Sequence, residues 1–198
     1  IVVPAFDASL TVTKDDDTPT WPELRRAEAN LFAIELKNAL ERTEKFGAVR
    51  VTPDRTATAA IYVMGRIAES NGHHVEIDIA VADISGRDLV SENSGFTFGK
   101  PKAKLHDIFK TRSFKHDVNE AFFKNLRHKN KQPYQPVFNE AAAFVVKLLS
   151  EYNSKQVDDL TKLTDLRFAA SFSEDAFAEH MTIEKGKVTL TSLPSKDD

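Results

Sequence analysis

Between Val75 and Ala82 the chain alternates Val75, Ile77, Ile79 and Val81 with Glu76, Asp78, Ala80 and Ala82. A period of two describes a strand with one face buried and the other exposed or lightly covered. Asn71-Gly72, a strong hairpin-turn dipeptide, lies just before it, and the apolar run Ala60–Ala68 lies before that. Ser85-Gly86 marks a second turn, and Leu89–Phe98 reads as a third strand. Residues 60–98 are therefore expected to form an antiparallel meander. Gly65, inside the first strand, marks a bulge or a close approach of backbone. A meander with a buried face requires a covering layer.

The N-terminal segments supply one. Ile1–Phe6 is a short strand candidate, and Pro4 favours an edge position or a bulge. Asp15, Asp16 and Asp17 lack the spacing of a calcium loop and read as a solvated turn. Thr20 and Glu23 fit a capping box, with Pro22 in the first turn. The helix that follows is expected to run toward Gly47. Leu24, Ala27, Leu31 and Ile34 mark its apolar face, widened by Phe32, Leu36, Ala39 and Leu40. Ala48–Thr52 is a further strand.

The C-terminal half changes character. Asp117–Arg127 has a helical pattern, and the break Gln132–Pro136 follows. Val137–Tyr152 is a helix with Phe138, Ala141, Ala142, Val145, Leu148 and Tyr152 on its apolar face. Ser154 is placed as the cap of another helix, with Val157, Leu160, Leu163 and Leu166 inward. Ser173 is placed as the cap of a short helix to His180, and Met181–Leu193 reads as a hairpin about Lys185-Gly186. The expected fold is α/β, with a mixed sheet and an antiparallel meander covered by helices. Residues 1–98 form the sheet domain. Residues 99–193 form a helix-rich extension on the same core, and 194–198 are a polar tail.

Charge is distributed unevenly. The net charge is −3, but residues 100–131 carry ten Lys or Arg against Asp107, Asp117 and Glu120. That local +7 makes Lys100, Lys102, Lys104, Lys110, Arg112, Lys115, Lys124 and Arg127 candidate anion-binding residues. An anionic polymer (lipopolysaccharide, acidic glycan or nucleic acid) is the class of ligand they would take. Nucleic acid is the least favoured, because the rest of the chain is acidic and no nucleic-acid motif accompanies the stretch. The simpler reading is a solvated basic face.

Signatures of catalysis are missing from the sequence. The chain has no cysteine, which removes disulfides, thiolate metal sites and a cysteine nucleophile. Its seven glycines are not clustered into a phosphate cradle. His73 and His74 are neighbours that a strand would point to opposite faces, so they make a poor joint metal site. His106, His116 and His128 lack the spacing of a helical zinc pair. Asp117 with Glu120, and Asp158 with Asp159, suit helix starts better than a cation site or a glycosidase pair. The expectation is a chain that is not an enzyme, with no cofactor and no metal.

Four segments carry a resemblance. IVVPAFD (1–7), FGAVRVTPD (46–54), AIYVMGRI (60–67) and VEIDIAVADISGRDLV (75–90) follow one another as strand, helix, strand and paired strands ending in an Asp-containing turn. In this order they resemble the CsgG/TolB-N-like envelope proteins over residues 1–98. The resemblance implies a non-enzymatic periplasmic or outer-membrane-associated bacterial module. It would act through protein partners, or as a homo-oligomer, in secretion, assembly or regulation. Relatives are anchored by a lipidated cysteine near the mature N-terminus. Here membrane attachment is expected only through an anchor upstream of Ile1, which fits a removed leader or a trimmed end. The family's pore-forming hairpins have no counterpart here, residues 100–193 match nothing in it, and it has no catalytic residues to carry over.

Overall fold

The alternation at Val75–Ala82 becomes the centre of a five-stranded mixed sheet. The computed structural model describes residues 1–10, 21–90, 111–125, 131–184 and 187–194. Its strands are β1 (Val2–Pro4), β2 (Arg50–Thr52), β3 (Ile61–Ser70), β4 (His74–Asp83) and β5 (Arg112–Asp117). They lie in the order β2-β1-β3-β4-β5, with β1 parallel to both neighbours and β3, β4 and β5 antiparallel. Helices are α1 (Pro22–Arg42), α2 (Glu120–Lys124), α3 (Gln135–Leu149), α4 (Ser154–Ala170) and α5 (Glu174–Phe177), the last running into a 3₁₀ turn. A separate hairpin pairs β6 (Met181–Glu184) with β7 (Lys187–Leu190). The fold is α/β with a mixed sheet, as the pattern predicts.

Both sheet faces are covered in part. On one, Val63, Ile67, Val75, Ile77, Ile79 and Val81 pack against α1 and α3 through Phe32, Leu36, Leu40, Val137, Phe138 and Val145. On the other, Tyr62, Met64, Ala80 and Ala82 meet Leu163 of α4 and Val188 of β7. The small Ala80 and Ala82 belong on that second face, so the strand is buried on both sides there.

Several expectations change. β1 is an interior strand, and Pro4 is tolerated because it occupies the strand's last position. Thr20 lies outside the described residues. Trp21 holds the cap position of α1 with no side-chain cap bond, and Pro22 opens the helix. The helix stops at Arg42, well before Gly47, where Glu44 turns left-handed at φ 54°. Asn153, not Ser154, caps α4, in a reciprocal box with Gln156. Val157 is exposed, leaving Leu163 and Leu166 as the buried residues of that helix. The place beside β4 belongs to β5, inside the basic stretch. Leu89 and Val90 follow a single bridge between Ala82 and Asp88, and 91–98 lie outside the described residues. Only Glu120–Lys124 of the expected helix 117–127 is helical among the described residues.

Gly65 marks a close approach. A Cβ placed there would stand 2.2 Å from Cζ of Phe6, whose ring lies flat against the strand. Phe6 is 4% exposed and meets Phe32 edge-on, so its ring has little room to retreat. Gly65→Ala is expected to lower stability by about 1–3 kcal/mol through overpacking. In urea unfolding, much of the loss should return when Phe6→Leu is added to Gly65→Ala. Simple additivity of the two changes would show that the rings and strand do not compete.

Candidate functional site

The two surfaces with functional character look away from each other across the sheet. The first is the outer face of α1. The helix buries Ala29, Phe32, Ala33, Leu36, Ala39 and Leu40, an i, i+3, i+4, i+7 stripe. Of the face expected to be inward, Phe32, Leu36, Ala39 and Leu40 are buried, whereas Leu24, Ala27, Leu31 and Ile34 lie on the opposite side of the helix. Leu24 is 60% exposed, Leu31 42% and Ile34 44%, and Trp21 at the helix start is 68% exposed. The sequence contains two apolar stripes, and the one with Phe32 and Leu36 takes the core, where the Phe32 ring packs edge-on among Phe6, Tyr134 and Phe138.

The second surface is the far face of the sheet at its hairpin end. Strand register sets three polar rows across β3, β4 and β5. The first is Arg66, Asp78 and Ser113. Asp78 is 3% exposed, and it is held by the Arg66 guanidinium and the Ser113 hydroxyl. The second is Glu69, Glu76 and Lys115, with Lys115 Nζ 2.9 Å from Glu76 Oε2. The hydrogen bond and charge of Glu76 raise the Lys115 pKa above its ordinary value. The third pairs His74 with Asp117, whose Oδ1 lies 2.6 Å from His74 Nδ1.

The candidate cations do not meet in one place among the described residues. Lys115 is on this polar face. Arg112 is on the other face of β5, its guanidinium 4.8 Å from the centre of the Phe144 ring. Lys124 lies on α2 and pairs with Glu120 at 2.9 Å. Lys100, Lys102, Lys104, Lys110 and Arg127 lie outside the described residues. His73 and His74 separate as the strand geometry requires, His73 packing edge-on against Phe123. A cleft of about 740 Å³ opens where α1, the end of β5 and the turn before α3 meet. Arg42, His116, Asp117 and Lys131 line it beside Phe122 and Pro136, so its walls carry charges of both signs.

Asp83, at the end of β4, collects polar partners of another kind. It is 2% exposed and accepts from the Ser85 and Arg87 backbone N–H groups, the Ser85 hydroxyl and the Tyr152 hydroxyl. Arg87 Nε lies 3.3 Å from Oδ2, the oxygen that also accepts from Tyr152, and the guanidinium lies over the Tyr152 ring. Burial, then the bond to Asp83, pushes the Tyr152 hydroxyl well above its ordinary range. All these groups are used to join the turn after β4 to the link between α3 and α4.

No protein-family model and no curated protein matches the sequence. Among solved structures, the chain is similar to the hypothetical protein CT253 from Chlamydia trachomatis. The identity is 14% and the TM-score 0.37, over 76% of this chain and 99% of that one. A likeness of that size carries no argument about function. No helix among the described residues is long and apolar enough to cross a membrane.

Proposed function

We propose that this chain is a non-enzymatic accessory module of the bacterial cell envelope that works through protein–protein contacts, with the outer face of α1 as its contact surface. The observation that carries the reading is the exposed stripe of Trp21, Leu24, Leu31 and Ile34 on a helix whose opposite face already fills the core. A helix that covers a sheet ordinarily turns polar residues outward. Contiguous apolar side chains on a rigid outer face mark surfaces that are covered by another protein. The envelope assignment draws on the resemblance in residues 1–98.

The test is made in cells producing the full-length gene product with its own N-terminus. A photo-crosslinking residue at position 31 should give a defined adduct in the periplasmic or outer-membrane fraction. The same residue at position 162, on α4, should not. Leu31→Glu with Ile34→Glu should abolish co-purification of the crosslinked partner while moving the melting temperature by no more than about 2 °C, as surface changes do. A cytosolic product, or co-purification indifferent to both substitutions, would remove the proposal.

A further inference from the structure

The geometry points to a cation site on the polar face of the sheet: we propose that Glu69, His74 and Glu76 bind a zinc-class divalent ion, with Asp117 as the residue that positions His74. The three side chains offer ligand atoms that all lie within 4.8 Å of one another. Each sits on a strand, so the backbone holds them in fixed register. His74 and Glu76 are two apart on β4 and share a face, and Glu69 stands directly across the hairpin from Glu76.

This last pairing is unusual. Like charges directly opposite in an antiparallel pair are unfavourable. A bulge creates the pair here: register runs from Ile67–Ile77 straight to Glu69–Glu76, skipping Ala68. Without it, Ala68 would face Glu76. Lys115 meets the charge of Glu76, while the Glu69 carboxylate is turned toward His74 with Oε2 at 3.8 Å from Nε2.

The imidazole is oriented for the role. Nδ1 is directed at Asp117 on the β5 side, which leaves Nε2 on the side of Glu69, 3.8 Å from its Oε2. A carboxylate on the far nitrogen of a ligating histidine fixes its tautomer and raises its basicity. One imidazole and two carboxylates suit a first-row ion such as Zn²⁺ better than Ca²⁺ or Mg²⁺, which favour all-oxygen sets. Zinc–ligand bonds of about 2.0–2.1 Å put tetrahedral ligands about 3.3 Å apart, so ligand atoms within 4.8 Å of one another must close by up to about 1.5 Å. Glu69 is exposed, and its carboxylate, which accepts from the Asn71 side-chain amide through Oε1 at 3.0 Å, can make that movement through Oε2. Three protein ligands leave a fourth position for water.

The experiment is calorimetric titration of the whole chain with Zn²⁺, and separately with Mg²⁺ and Ca²⁺. One Zn²⁺ per chain is expected. His74→Ala and Glu69→Gln should each weaken binding at least about tenfold, and Asp117→Ala by about 10–100-fold. His73→Ala should leave it unchanged. Lys115→Ala should tighten it severalfold, because it frees Glu76, an effect that a purely structural role for these residues does not produce. Substituted Co²⁺ should show the visible absorption of a four-coordinate N/O site, lost in His74→Ala. Absence of Zn²⁺ binding up to about 1 mM, affinity indifferent to His74 and Glu69, or preference for Ca²⁺ or Mg²⁺ would each overturn the proposal. Exposed Glu69 keeps the test valid if the His74 variant melts early.

Discussion

Replacing Phe32 with alanine should cost the fold about 3–5 kcal/mol, the range for deleting a buried ring. Phe32 is 1% exposed and stands where three elements meet. Its ring makes edge contacts with Phe6 after β1 at 6.2 Å, Tyr134 before α3 at 6.1 Å and Phe138 within α3 at 5.2 Å. Removing it takes away apolar burial and leaves a cavity bounded by three rings that are themselves wedged. Phe6 cannot fill the space without leaving Gly65, and Phe138 is fixed on its helix. For a chain of this length the loss corresponds to a fall in melting temperature of about 10 °C. Phe32→Leu, which keeps much of the volume, should cost less than half as much. Denaturant unfolding of both variants checks this, with the midpoint expected to move and the slope to stay constant. Equal stability of Phe32→Ala and the parent would mean that α1 is not seated by this cluster. Its outer stripe would then lose its rigid mounting, so this variant also bears on the proposed contact surface.

What the sequence reveals follows from how each element is buried. The β3–β4 hairpin is legible because its alternation survives intact from Val75 to Val81, and α3 because Phe138, Ala141, Ala142 and Val145 repeat at helical spacing. The inward face of α1 is read half correctly: Phe32, Leu36, Ala39 and Leu40 are buried as expected, but Leu24, Ala27, Leu31 and Ile34 are not, because two apolar stripes compete on one helix. Only the ring cluster decides between them, and that is a tertiary fact. β5 is missed for a different reason. Arg-Ser-Phe-Lys-His-Asp places a single apolar residue, Phe114, in the core, opposite Ile77, while the outer face is polar. Such a strand has no periodic signal of its own, and Arg and Lys pull the reading toward a basic patch. The cluster of Glu69, His74 and Glu76 lies furthest out of reach. Spacing along the chain separates its members, and a one-residue bulge at Ala68, which nothing in the composition marks, brings the glutamates face to face. Gly65 is the counterexample, since a glycine within an apolar strand does announce that something lies close.

Asp83→Ala should be comparably damaging, at about 3–5 kcal/mol, by a mechanism unrelated to volume. The carboxylate is 2% exposed and satisfies two backbone N–H groups, two hydroxyls and a guanidinium. Without it, the Tyr152 hydroxyl and the turn's N–H groups lose their acceptor in a buried place, and such orphaned donors cost more than the bonds contributed. Asp83→Asn keeps the size but turns a donor either toward Tyr152 and the Arg87 guanidinium or toward the Ser85 and Arg87 N–H groups, so it should recover only part of the loss. Tyr152→Phe combined with Asp83→Ala should be clearly less than additive, since both remove the same bond. The consequence should also spread. Ser85, within the same turn, accepts from the Val188 backbone N–H at 2.8 Å, which ties β7 to the end of β4. Hydrogen exchange in β6–β7 should therefore accelerate in Asp83→Ala well before the central strands respond, because that hairpin packs on the sheet through few residues, chiefly Val188 and Met181. Uniform acceleration across β3 and β4 instead would mean that the turn and the hairpin open only with the whole molecule.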